Sequence, residues 1–246
     1  MSTATPLNSA PFPGAALAQD EPEPLQWIPP LSTRSDGVEA LRCLVKRAID
    51  LVGATVGLLL LAPLVMLPIW LLIKLLDSPG PALFQQMRRG HRGQPFWMLK
   101  FRTMTVDAEA KLVDLEDSNE SAGGVLFKLS HDPRVTWFGA LLRRSSLDEL
   151  PQLINVLRGE MSLVGPRPLQ DRDSQRLLAS NPRGYYGRLH VKPGVTGPWQ
   201  ISGRKNVDYQ RMIQLDLDYV RSWSLAGDAW ILVKTFYVVL LGKGAY

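Results

Sequence analysis

One stretch breaks the ordinary alternation of apolar and charged residues: from Leu51 to Ile73, 23 consecutive positions carry no charge. That is long enough to cross a bilayer, and an apolar circumference without a polar face suits lipid better than a protein core. Val38 to Asp50 leads into it with helical spacing and the cations Arg42, Lys46 and Arg47. Pro63 and Pro68 fall inside the run, and Pro63 removes a helical hydrogen bond and bends the axis. Basic residues flank the run evenly, Arg34, Arg42, Lys46 and Arg47 before it and Lys74, Arg88, Arg89 and Arg92 after it, which places both flanks in the cytoplasm. The pattern predicts a re-entrant membrane helix over 37–77, bent at Ala62-Pro63. A Pro-kinked spanning helix is the alternative.

After Asp77 an SPGP turn, Ser78 to Pro81, leads to short apolar strings on either side of a Gly- and Arg-rich turn, which predicts a β-hairpin. Its basic tip suits either lipid headgroups or solvent. Lys100 and Arg102 alternate with Leu99, Phe101 and Met104, so a strand would aim both cations to one side. Asp107 to Gly124 is acidic and reads as a solvated helix with a loop-like exit. Val135, Phe138, Leu141 and Leu142 mark one face of a following helix. Helical spacing returns over Gln170 to Ala179 and Val207 to Trp223; Asn181 to Gly187 reads as a loop. In the latter helix Asp216 and Asp218 are expected to be solvated. Ala229 to Leu241, 13 residues with one lysine, is too short to span; Trp230, Tyr237, Lys234 and Lys243 suit an interfacial helix, with a core helix as the alternative.

Residues 1 to about 36 carry seven prolines and no basic residue before Arg34, which is wrong for a secretory signal and predicts a disordered leader. Together the elements describe an α+β, mostly helical, monotopic membrane protein with a re-entrant N-terminal helix, a short β-hairpin and interfacial amphipathic helices. Its divisions are a leader at 1–36, the membrane helix at 37–77 and a cytoplasmic membrane-associated domain at 78–246.

Composition narrows the chemistry. The 28 Lys and Arg against 23 Asp and Glu favour an anionic partner. Because the cations gather beside the apolar run, that partner is expected to be nucleotide or lipid, not nucleic acid. Cys43 is the only cysteine, which excludes an intrachain disulfide and a Cys-based zinc site, and His91, His131 and His190 lack ligand spacing. There is no P-loop and no GxGxxG.

The chemistry concentrates in RRSSLDELPQLINVLRGEMSLVGPRP, Arg143 to Pro168. Pro151 is tolerated only in a first turn, so a helix bearing Leu150, Leu153, Ile154 and Leu157 is expected to begin near Asp148 and to end at Gly159. A helix start would hold Asp148 and Glu149 ionised, as nucleophile or metal ligands. Ser146-x-x-Glu149 also reads as a capping box. Arg143 and Arg144 precede the pair, and Arg167 sits between Pro166 and Pro168 with little backbone freedom, which suits bidentate phosphate recognition. KPGVTGPWQISGR, Lys192 to Arg204, is rigid and glycine-rich; it either cradles phosphates or simply turns.

SLDELPQLINVL, GEMSLVGPRP, KFRTM (Lys100 to Met104), DPRVT (Asp132 to Thr136) and KPGVTGPWQISGR, in this order, resemble the bacterial sugar transferase family, the monotopic polyprenyl-phosphate phosphoglycosyl transferases. Lys46, Arg47 and Asp50 match its Lys-Arg-x-x-Asp motif. The resemblance implies transfer of a hexose-1-phosphate from a UDP-hexose to polyprenyl phosphate at the cytoplasmic face of a bacterial inner membrane. It implies Asp148 as nucleophile, Glu149 beside it as base, orienter or metal ligand, and Mg²⁺ held by Asp148 and Glu149. Lys100, Arg143, Arg167, Pro166 and Pro168 would bind substrate, and a homo-oligomer is left open. The family contains longer members with extra N-terminal spanning helices, which this sequence lacks; GPWQISGR nevertheless looks like those longer members and favours glucose or galactose. The proline after Gly197 departs from the family pattern. A non-catalytic anchored scaffold for nucleotide or anionic lipid is the other reading.

Overall fold

The computed structural model describes residues 36–77, 80–115, 118–120, 127, 129, 131–202 and 209–240. The leader, Ser78 and Pro79 of the first turn, the second half of SNESAGG, Arg204, Val207 and Lys243 lie outside these. The described part is mostly helical with two small sheets.

The apolar run lies in one long helix. α1 (Asp36–Leu61) passes through a π turn (Ala62–Met66) into α2 (Leu67–Leu76). Pro63 opens the π turn, where its missing N–H leaves the helical hydrogen-bond register free to widen, and Leu67 N–H returns to Ala62 O. Only 11% of the most apolar 18-residue window is buried, which does not fit a core helix. The buried minority forms one stripe. Ala54 and Leu58 pack with Leu153, Val156 and Met161, while Val65, Met66, Ile69 and Ile73 pack with Ala82, Phe101, Phe138 and Leu142. The outer face is bare leucine, with Leu59, Leu64 and Leu75 all more than 70% exposed.

The Lys46, Arg47 and Asp50 triplet docks this helix. Lys46 Nζ reaches Asp228 Oδ2 at 2.6 Å and Val164 O at 3.1 Å. Arg47 donates to Val156 O and Leu157 O, carbonyls at the C-terminal end of the helix Gln152–Arg158. Buried Asp50 accepts from Ser162 Oγ and Leu163 N. At the far end Thr136 Oγ1 donates to Asp77.

β1 (Leu83–Arg89) and β2 (Pro95–Phe101) form the expected hairpin, with Leu83 opposite Phe101 and Phe84 opposite Lys100. Its basic tip is not simply solvated: Arg88 is buried and donates to Pro168 O, and Arg89 pairs with Asp171. α3 (Ala108–Leu115) is the acidic helix, largely exposed. In α4 (Trp137–Ser145), Phe138 and Leu142 face inward, but Leu141 turns outward beside Trp137, so the expected four-residue inner face is halved. α5 (Gln152–Arg158) ends at Gly159 with φ 84°, and Asn155 closes the edge of β2 through Leu99 N and Trp97 O.

β3 (Ser162–Val164) pairs in parallel with β4 (Gly194–Thr196). α6 (Asp171–Ser180) lies where expected, but the segment read as a loop is α7 (Pro182–Arg188). Asn181 caps it by accepting from Gly184 N, and Pro182 supplies the preset φ of a first turn. α8 (Tyr209–Ser222) buries Asp216 completely, contrary to the expectation of a solvated aspartate, because Arg188 stands opposite at 2.8 Å. α9 (Leu225–Leu240) buries Ile231 and exposes Trp230, Val233, Phe236 and Tyr237.

Candidate active site

The catalytic candidates depend on how α4 stops. Gly139 sits where a Cβ would collide with the Thr103 backbone, so α4 lies directly on the chain leaving β2. One turn later this carries Arg143 over Thr103, whose hydroxyl accepts from Arg143 Nε at 2.9 Å. Ser146, at φ 56°, then reverses the chain in a left-handed conformation and starts a single 3-10 turn, Leu147–Glu149. The Ser146 side chain makes no cap hydrogen bond to this turn, so the capping box does not form. α5 begins only at Gln152, with Pro151 as its N-cap.

Asp148 and Glu149 are therefore held by the turn between two helices, both 7% exposed, and face an open cavity of about 330 Å³. Lys100, Arg143 and Arg167 line it with them, as do Arg88, Arg102 and Thr103. The hairpin's period of two supplies Gln86 and Arg88 from β1 and Lys100 from β2, followed by Arg102.

The two carboxylates differ. Glu149 Oε1 lies 2.8 Å from the Arg167 guanidinium and 3.4 Å from Lys100 Nζ. Among the described residues no hydrogen bond engages the Asp148 carboxylate. Burial, then the charge of Glu149, push the Asp148 pKa above its ordinary value, against Lys100, Arg143 and Arg167. The expectation that a helix start fixes both charges is thus replaced: burial disfavours ionisation of Asp148, and the ring of cations opposes that penalty. Burial also lowers the Lys100 pKa to about 8, with Glu149 the largest opposing influence.

Arg167 is fixed through its backbone. The carbonyl of Pro166 accepts from Gly194 N at 2.9 Å, that of Arg167 from Arg188, and that of Pro168 from Arg88 at 3.0 Å. Pro166 and Pro168 do not line the large cavity; they stand behind Arg167, whose guanidinium also lies 5.6 Å from the centroid of a Trp199 ring. Gly194 and Gly197, like Gly165, make room for backbone against backbone. Arg88 and the Arg188–Asp216 pair were missed from the sequence. The alternation of Gln86 and Arg88 with Gln85 and Met87 was a usable sign of the first, whereas no local pattern links residues 188 and 216.

The donor set suits a hard cation. Two carboxylates beside an open cavity, with no thiol or imidazole among them, leave room for the waters and phosphate oxygens that Mg²⁺ retains. Among the described residues no group of three or more His, Cys, Asp or Glu side chains could hold a metal alone, so such an ion would be shared with substrate.

Residues 41–242 match the family described as bacterial sugar transferase. The galactosyl transferase CpsE of Streptococcus agalactiae serotype III is 43% identical over 203 residues, spanning 82% of this chain and 43% of that protein. The exopolysaccharide production protein ExoY of Rhizobium meliloti is 44% identical over 206 residues, 82% of this chain and 88% of ExoY. The UDP-glucose:undecaprenyl-phosphate glucose-1-phosphate transferase of Escherichia coli K12 is 40% identical over 231 residues, 91% of this chain and 46% of that enzyme. The chain thus spans most of ExoY but less than half of the other two. With the family match covering nearly all described residues, the chain belongs to the bacterial sugar transferase family.

Proposed function

We propose that this chain transfers a hexose-1-phosphate from a UDP-hexose to polyprenyl phosphate, giving polyprenyl-diphosphate-hexose and UMP, the first membrane step of exopolysaccharide or O-antigen assembly. The observation that carries the reading is the asymmetry of the dyad: Glu149 is engaged by Arg167 and Lys100, while Asp148 has no hydrogen bond among the described residues and faces a cavity lined by cations. A carboxylate so placed can attack phosphorus.

In the first step an Asp148 oxygen attacks the sugar-bearing phosphorus, and UMP leaves with the bridging oxygen and its electron pair. In the second an oxygen of the lipid phosphate attacks the same phosphorus and the Asp148 carboxylate leaves. Lys100, Arg143 and Arg167 meet the phosphate charge. Glu149 orients Arg167 and Lys100 before substrate arrives. Asp148 and Glu149 would hold Mg²⁺, which supplies charge neutralisation at the transferring phosphoryl group when bound.

The protein sits on the cytoplasmic face of the inner membrane as a monotopic enzyme. Supporting this, α1 and α2 lie along one body from Lys46 to Asp77 and turn a leucine face outward, while Trp137 with Leu141 and the outer face of α9 add exposed apolar area. The names of the similar proteins, one a galactosyl and one a glucose-1-phosphate transferase, support a hexose donor. The test is UMP release by detergent-solubilised protein supplied with UDP-glucose or UDP-galactose, Mg²⁺ and polyprenyl phosphate. Release from either donor is expected; no release from any UDP-sugar would overturn the reading.

A further inference from the structure

Besides the polar cavity, the described residues form an open apolar groove of about 340 Å³, lined by Met66, Leu67 and Trp70 of the membrane helix, Leu83 and Phe101 of the hairpin, and Ile154 of α5. The two spaces meet at one side chain, since Phe101 lines both. Strand geometry explains the division. Leu83 and Phe101 face each other across the hairpin and share one side, whereas their neighbours Phe84 and Lys100 share the other and line the cavity. Phe101 is 3% exposed, so this partition is fixed, while Leu67 and Trp70 are 54% and 40% exposed and leave the groove open outward.

A cation-lined cavity joined to an apolar groove matches a molecule whose anionic head is bonded directly to an apolar chain. We infer that the groove of Met66, Leu67, Trp70, Leu83, Phe101 and Ile154 is the subsite for the phosphate-proximal isoprene units of the lipid acceptor. This rests on the function proposed above and adds where the acceptor's chain lies and which residues select it. A phosphodiester lipid matches the pair of spaces less well, because glycerol separates its phosphate from its acyl chains.

The test separates the half-reactions. Ile154→Trp and Leu83→Trp each fill the groove, and neither residue lines the polar cavity. Formation of the hexose-phosphate adduct from UDP-hexose without lipid should match wild type in at least one of them. For that variant KM should rise at least tenfold for polyprenyl phosphate and for a short-chain prenyl phosphate alike, since both carry the phosphate-proximal isoprene units. Unchanged KM for the long acceptor in variants that form adduct would overturn the subsite. If both variants lose the adduct, a diazirine placed in the first isoprene units of polyprenyl phosphate decides with wild type. Crosslinks on the Met66–Trp70, Leu83 or Ile154 peptides, displaced by polyprenyl phosphate but not by phosphatidylglycerol, support it; crosslinks elsewhere, or equal displacement by both, refute it. Absence of adduct in wild type would instead count against the two-step reading itself.

Discussion

Gly165 shows how closely the position of Arg167 depends on the backbone behind it. Gly165 N donates to Thr196 O, and the next residue's carbonyl accepts from Gly194 N, both at 2.9 Å. A Cβ on Gly165 would lie 2.8 Å from Gly194 N and 3.1 Å from the Pro193 carbonyl carbon, with Lys192 O closer still. None of these is a side chain that can swing aside. Restoring ordinary contact moves the Gly165-Pro166-Arg167 segment away from β4 by about 1 Å, a misplacement able to cost about 10²-fold in rate. Forcing a methyl into packed backbone also costs about 1–3 kcal/mol of stability. Gly165→Ala should therefore lower kcat/KM for UDP-hexose about 10²-fold, roughly 2.7 kcal/mol of transition-state stabilisation, and lower the thermal midpoint in detergent. Gly37→Ala, whose added Cβ meets nothing within 4 Å, is the control and should match wild type. If Gly165→Ala keeps wild-type kcat/KM, the backbone of the Pro-Arg-Pro turn does not position Arg167 for catalysis.

Three further outcomes are expected. Because burial lowers the Lys100 pKa to about 8, its cation dominates below that pH and is lost above it. The kcat/KM for UDP-hexose should fall as pH rises through about 8, and Lys100→Arg should remove that limb; an unchanged limb would assign the titration elsewhere. Arg167→Lys keeps charge but loses the fork that reaches Glu149, and should raise KM for UDP-hexose about tenfold or more while the exposed Arg92→Lys does not; equal constants for the two would deny Arg167 a specific contact. For topology, native Cys43 and, separately, Leu76→Cys in a Cys43→Ser background should resist an impermeant maleimide applied outside intact cells and react after permeabilisation. Both residues are exposed in the protein, so labelling of either from outside would contradict a monotopic arrangement.

Much of this architecture was legible because its causes are local. An uncharged run with Pro63 inside it gave a long apolar helix, and its irregularity falls at Ala62–Met66, where the proline removes a donor. Alternation around Lys100 and Arg102 placed both cations in the cavity because β-structure has a period of two. α7 was missed although its cap and first-turn proline are local signals, because Gly184 and Gly187 weigh against helix; both sites are buried, and a Cβ at Gly184 would meet Asn181 and Ile213. The burial of Asp216 was not legible, since Arg188 lies 28 residues away and only the packing of α7 on α8 brings them together. The upward shift of the Asp148 pKa was not legible for a similar reason. A helix start is a local argument, whereas the shift comes first from burial and then from Glu149, against Lys100, Arg143 and Arg167 on three separate segments.

Intact-protein mass measurement tests the central claim most directly. Incubated with UDP-hexose and Mg²⁺ but without polyprenyl phosphate, wild-type protein should gain one hexose-phosphate, on the peptide containing Asp148, and release an equal amount of UMP. Asp148→Asn should show neither, and Glu149→Gln should slow the reaction without moving the site. Adding polyprenyl phosphate should discharge the adduct into lipid. An adduct on any other residue, an adduct persisting in Asp148→Asn, or UMP release by wild type only when lipid is present would contradict a covalent aspartyl intermediate at Asp148.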